Sequence, residues 1–141
     1  MRSRFVGGKY TEPEKLPVEV NESTFQFNTC IAPDESYLVM CTRLSDNALG
    51  NIDYAVSFRN KNDMWTKLQP IGNGVNYKGS RAVSPYLTPD GKYFFFSQAK
   101  SPKADTSKYT YEELQRLRTE PKNGSSDIYW VSTDIIRSMK R

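Results

Sequence analysis

The chain has 141 residues, enough for one domain with its own core, so a disulfide-stapled miniprotein is not required. Hydrophobic residues make up 37%, charged residues 26% and aromatics 13%, a balance that argues against disorder. There is no histidine, which removes the commonest general base, the Ser-His and Cys-His pairs, and every zinc site built on imidazole.

The net charge is +4, and its placement matters more than its sum. Arg2, Arg4, Arg137, Lys140 and Arg141 lie at the two ends, and the rest holds 15 basic against 16 acidic residues. No basic stripe suited to nucleic acid remains, and the ends read as solvated charge. No apolar run approaches the roughly 18 residues of a membrane helix. Residues 1–10 lack the apolar stretch of a secretory signal. The expectation is a chain that meets neither nucleic acid nor membrane, cytoplasmic if the sequence is complete.

In chain order, residues 8–16 read as an outer strand with no sheet before it. Residues 25–31 and 37–41 are rich in apolar and aromatic side chains, too short for helices, and flank Pro33-Asp34-Glu35-Ser36, a turn signal. Residues 53–58 and 64–71 follow as third and fourth strands, giving one complete unit over 25–71. Residues 82–87 and 93–96 flank a second turn, Pro89-Asp90-Gly91-Lys92, and 127–131 is again a third strand. Between them, 102–122 is an insertion in which Thr110-Tyr111-Glu112-Glu113 has the pattern of a helix capping box. Tyr111, Leu114 and Leu117 then fall on one helical face and Pro121 stops the run. The end, 132–140, reads as a short capped helix.

The two units are copies. The segment from Ala32 to Met40 aligns with Thr88 to Phe96 at an offset of 56. Tyr10-Thr11, Leu16 and Val20-Asn21 align with Trp65-Thr66, Ile71 and Val75-Asn76 at an offset of 55. Gly50 and Asp53-Tyr54 align with Gly124 and Asp127-Ile128 at an offset of 74, the excess of 18 being the insertion. Four short strands in about 55 residues is the size and kind of a propeller blade. The fold class expected is all-β: two four-stranded propeller-type blades, 25–71 and 82–131, with a helical insertion and a C-terminal helix.

Pro89-Asp90-Gly91-Lys92-Tyr93-Phe94-Phe95-Phe96-Ser97, with Ser57-Phe58-Arg59, Trp65-Thr66 and Asp127-Ile128-Tyr129-Trp130-Val131, resembles the TolB-like, WD-repeat-like β-propeller family. The resemblance implies a six-bladed propeller, a binding or scaffold role, and relatives that are often exported from bacterial cells. This chain has material for two blades. Two isolated blades leave faces and edges uncovered, whereas closed propellers protect them. The expectation is therefore a homo-oligomer, with three copies giving six blades, in which the strand at 8–16 completes the second blade beside 127–131, in its own chain or in a neighbour. Assembly with blades of other origin is one alternative, and a chain that is a fragment of a longer one is the other.

Candidate site residues follow from this arrangement. Arg59, Trp65, Asn76 and Arg81 fall near blade ends and could line a channel mouth, where Arg recognises carboxylates and Trp stacks on sugars or rings. Packing is the favoured role for Trp65, and a brace between blades for Asn21 and Asn76. Asp53, Asp127, Asp34 and Asp90 recur at matched positions, which favours structural bonds to loop amides over a catalytic pair. Asp46, Asn47, Asn51 and Asp53 could offer oxygens to calcium, but a plain polar loop is favoured. Neither a resident metal nor a cofactor is expected. Cys30 and Cys41 read as buried free thiols, with a cross-hairpin disulfide as the alternative. The function expected is a non-enzymatic binding module for a small molecule, glycan or protein. The alternative is a propeller-based hydrolase or lyase using carboxylates or tyrosines near the axis.

Overall fold

The structure is a computed structural model that describes residues 1–23, 25–46, 48–99, 109–120 and 125–140. Strands make up 39% and helices 10%, so the chain is mostly β. A hairpin pairs β1 (Phe5–Val6) with β2 (Lys9–Tyr10). A four-stranded sheet follows in the order β3 (Gln26–Ile31), β4 (Tyr37–Thr42), β5 (Asp53–Phe58), β6 (Gln69–Pro70). A three-stranded sheet has the order β7 (Val83–Leu87), β8 (Tyr93–Ala99), β9 (Ser126–Ser132). All pairs within these sheets are antiparallel.

Three expectations change. The second sheet has three strands, not four, and β9 ends it. The N-terminal strand does not complete it within its own chain, because Tyr10 pairs with Phe5 instead. The fourth strand of the first sheet is reduced to Gln69–Pro70 plus an isolated bridge from Arg59 to Trp65. Among the described residues no sheet closes on itself.

Register repeats as faithfully as sequence. Phe27–Cys41 and Ile31–Leu38 pair in the first sheet, Val83–Ser97 and Leu87–Phe94 in the second. Both hairpins carry a bulge at the same place, with Asn28 at φ 46° and Ser84 at φ 52°. The turns match too. Asp34 Oδ1 accepts from the Ser36 N–H at 3.1 Å, and Asp90 Oδ1 from the Lys92 N–H at 3.1 Å. Each turn needs one left-handed residue: Gly91 at φ 68° supplies it freely, while its counterpart Glu35 is forced to φ 56°.

Alternation along the strands gives each sheet two distinct faces. The forward face of the first sheet carries Tyr37, Val39, Cys41, Tyr54, Val56 and Phe58. It packs on the rear face of the second, Phe94, Phe96, Tyr129 and Val131, with Ile71 and Val75 in the same cluster. This is the main core, and each fully buried large side chain in it contributes about 1.5–3 kcal/mol. The rear face of the first sheet, Leu38, Met40 and Ala55, forms a second cluster with Trp65, Leu68, Leu44, Val20 and Leu16.

Helix α1 (Tyr111–Thr119) starts with the expected capping box: Glu113 N–H donates to Thr110 Oγ1 at 3.2 Å, and Thr110 N–H to Glu113 Oε2 at 2.8 Å. Its apolar positions Tyr111 and Leu114 are exposed, so no buried stripe forms there. The side chain of Leu117, Pro121, and the insertion's residues 102–108 and 121–122 lie outside what the structure describes. Helix α2 (Asp134–Arg137) buries Ile136 in the main core, and Arg137 donates to the Gly91 carbonyl at 2.9 Å.

Candidate functional site

The forward face of the second sheet is where the repeat breaks off. Tyr54 and Val56 on the first sheet are 1% and 0% exposed. Their counterparts at an offset of 74, Ile128 and Trp130, are 79% and 61% exposed. Tyr93 meets Trp130 edge-on at 5.2 Å, and Tyr86 meets Phe95 at 6.3 Å, so the face is a continuous aromatic surface. A shallow depression of about 520 Å³ runs over it, lined by Val83, Tyr86, Phe95 and Ile128 among others. Scattered exposed apolar residues need no explanation, but a contiguous patch marks a contact surface.

How such a face is covered can be read from the first sheet. There, Asn76 clasps the backbone of Tyr54. Its Oδ1 accepts the Tyr54 N–H at 2.8 Å, and its Nδ2 donates to the carbonyls of Tyr54 at 2.9 Å and Ile71 at 2.8 Å. Thr66 seals the far end of the strand: its Oγ1 accepts the Phe58 N–H, its N–H donates to the Phe58 carbonyl, and Ser57 Oγ donates to its own.

Residues 1–21 reproduce this arrangement almost bond for bond. Thr11 Oγ1 accepts the Arg4 N–H at 3.0 Å, the Thr11 N–H donates to the Arg4 carbonyl at 2.8 Å, and Ser3 Oγ donates to the Thr11 carbonyl. Arg2 bridges to Glu14 as Val56 pairs with Gln69. Asn21 Nδ2 reaches the Leu16 carbonyl at 2.6 Å, as Asn76 reaches Ile71. Among the described residues, Asn21 Oδ1 accepts no hydrogen bond.

Of the four anticipated site residues, Arg59 and Trp65 face each other in an isolated bridge, but their side chains do not share one site with those of Asn76 and Arg81. Arg59 is tied to Asp63 at 2.6 Å and Glu35 at 2.8 Å. Trp65 is buried in the rear cluster, its indole N–H without a partner among the described residues. Asn76 is the clasp just described. Arg81 lines a different depression, with Arg43, Gly50 and Asn51. Asp53 is 1% exposed and binds the N–H groups of Leu49 and Gly50 at 2.8 and 2.7 Å, the loop-bracing role. Burial raises its pKa, and those two amides oppose the rise. With both carboxylate oxygens engaged and Asp46 facing Lys67 at 3.7 Å, the calcium arrangement finds no support. Asn47 and Gly124 lie outside the described residues. Among the described residues no group of three or more His, Cys, Asp or Glu could hold a metal, and no helix is long and apolar enough to cross a membrane.

Comparison with protein-family models, curated proteins and solved structures returns no match for this chain.

Sequence reasoning missed Asp63, which gathers Arg2, Arg4 and Arg59 into one ion cluster. No motif marks it. It expected uncovered faces but did not name Ile128 and Trp130 on one, although the offset that aligns Tyr54 with Ile128 carried the signal.

Proposed function

We propose that the chain is a propeller-type repeat module, of the kind the TolB-like resemblance implies, that works by binding rather than catalysis. Its forward face, on the second sheet, is the working surface. One observation supports this above others: the face that buries Tyr54 and Val56 on the first sheet leaves their counterparts Ile128 and Trp130 exposed on the second, among the described residues. The carboxylates an enzyme would use are spent on structure: Asp53, Asp34 and Asp90 hold loop or turn amides, and Asp63 holds arginines. An apolar, aromatic partner surface suits this face, and a closed ring of sheets is the architecture that would supply it.

Paired substitution of Ile128→Lys and Trp130→Lys tests the reading. If the face is a contact surface, the variant keeps its melting temperature, because solvated positions cost less than about 0.5 kcal/mol. The wild type is expected to take up 8-anilinonaphthalene-1-sulfonate in dilute solution, and the variant to lose that uptake. A variant that unfolds, or one that binds the dye unchanged, refutes the proposal.

A further inference from the structure

Two arginines stand apart from the others. Arg2, Arg4 and Arg59 are gathered on Asp63, Arg116 meets Glu120 at 3.3 Å, and Arg137 donates to the Gly91 carbonyl. The side chains of Arg43 and Arg81 form neither an ion pair nor a hydrogen bond among the described residues. Both border one depression of about 440 Å³, together with Leu44, Ala48, Asn51 and Ile52. Two cations at one depression repel each other, and the carboxylates of the surrounding loops are turned elsewhere. Asp46 and Glu22 face Lys67 at 3.7 and 3.5 Å, and Asp53 is spent on the Leu49 and Gly50 amides.

The main chain fixes this arrangement. Just past β4, the Arg43 N–H donates to the Phe25 carbonyl at 3.2 Å, and the Arg43 carbonyl accepts from Ser23 Oγ at 2.8 Å. The guanidinium carbon lies 5.4 Å from the centre of the Phe25 ring, a contact that orients the group without neutralising it. Arg81 comes from the crossover between the sheets and forms a parallel bridge with Ile52. On either side of it, the Asn51 N–H donates to the Ser80 carbonyl and the Ala82 N–H to the Ile52 carbonyl, each at 3.0 Å. The loop approaches so closely that a Cβ at Gly50 would stand 2.9 Å from the Ser80 carbonyl oxygen, so glycine is needed there. Arg43, Arg81 and Asn51 are exposed, whereas Leu44 and Ile52 are buried.

We infer that this depression binds a small phosphate monoester, its dianionic head between Arg43 and Arg81 and its apolar body along Leu44 and Ile52. Guanidinium forks match phosphate oxygens in pairs. A monoester carries about two negative charges at neutral pH, the number that the two arginines leave uncompensated. A monocarboxylate would answer one of them. The Asn51 amide, without a partner among the described residues, supplies a further donor. The site shares no lining residue with the depression on the forward face, so it stands or falls apart from the reading of that face.

Phenyl phosphate, titrated into the full-length chain at about 100 mM ionic strength and followed by backbone amide NMR, tests the inference. Saturable shifts are expected at Asn51, Ile52 and Ala82, with a dissociation constant of about 1–5 mM, and none at Ile128. Arg43→Gln and Arg81→Gln should each weaken binding about fivefold or more, and the two together should abolish it. Unchanged amide positions around Tyr54 report that these variants remain folded. Lys78→Gln removes an exposed charge that does not line the depression, and should leave the affinity within about twofold. Benzoate, with the same ring and one charge, should bind about fivefold more weakly. Lowering the pH from about 7.5 to 5 turns the ligand into a monoanion and should weaken its binding to the same degree. A titration without saturable shifts overturns the inference, as do shifts at Ile128 in place of Asn51. So does a loss on Lys78→Gln as large as that of either arginine variant, which leaves two solvated arginines in a diffuse field. Benzoate binding as tightly as phenyl phosphate overturns it too, since the arginines then select no dianion.

Discussion

The Tyr54 hydroxyl reaches from the first sheet into the bulge of the second, where it receives the backbone N–H of Ser97 at 3.0 Å. It also receives the Val83 N–H at 3.0 Å and lies within 2.6 Å of the Val83 carbonyl and 2.7 Å of the Ser97 carbonyl. A bulge leaves backbone groups out of the ladder, and this hydroxyl satisfies them from the facing sheet. Tyr54→Phe keeps the ring and strands two buried N–H groups. We expect a loss of about 2 kcal/mol, read as a lower urea midpoint with an unchanged slope.

The two asparagines at the crossovers should differ sharply. Asn76→Ala removes three bonds from a buried site and should cost about 2–3 kcal/mol. Asn21→Ala in the dilute single chain should cost less than about 1 kcal/mol, because Asn21 is exposed and its acceptor oxygen is idle. Chemical denaturation of both variants side by side checks the contrast.

The turns invite a reciprocal exchange. Gly91→Ala puts a Cβ on a left-handed residue, 3.3 Å from Arg137 Nη2, and should cost about 1–2 kcal/mol. Glu35→Gly relieves the same conformation in the first turn and gives up an exposed ion pair with Arg59, for a net gain of about 0.5 kcal/mol. Thermal melts of the two variants should move in opposite directions.

The N-terminal hairpin should be acid-sensitive. The Asp63 carboxyl is held well below its ordinary value of 3.8, first by its hydrogen bond to Arg2 and then by those to Arg59 and Arg4. Glu14 is likewise held below 4.5 by Arg2 and Arg4. Lowered carboxyl pKa values mean stabilisation that is complete at neutral pH and lost as pH falls below those ordinary values toward the folded ones. The pairs are solvent-exposed, so salt should weaken them as well. Backbone amide exchange at Thr11 and Glu14, the donors that tie the hairpin, should quicken in that window while Tyr54 stays protected.

Neither thiol should react readily. Burial pushes Cys30 up to about 11 and Cys41 up to about 12, and both thiols are free, Cys41 in the main core and Cys30 packed against it. At pH 8 an aromatic disulfide reagent should label the native chain about a hundredfold more slowly than the urea-unfolded one.

Much of the architecture was written in the chain's own repetition. The Pro33 and Pro89 turns, the strands around them and the Thr110 capping box are local signals, fixed by residues a few positions apart. What stayed hidden depends on distant partners. Asp63 looks like any loop aspartate until Arg2, about sixty residues away, arrives beside it. Trp65 and Arg59 looked like candidates for one channel mouth, yet one packs inward on Leu38 and Met40 while the other is consumed by ion pairs. Tyr10 and Trp65 share a position in the repeat, and only packing reveals that one is bare and the other covered.

Asn28 and Ser84 put a left-handed residue at the same step of the two hairpins, so the kink belongs to the main chain and is kept where the side chains around it differ. Cys41 has become Ser97 and Val39 has become Phe95 while the pairing between strands is unchanged. The seam can drift in chemistry as long as the kink is kept.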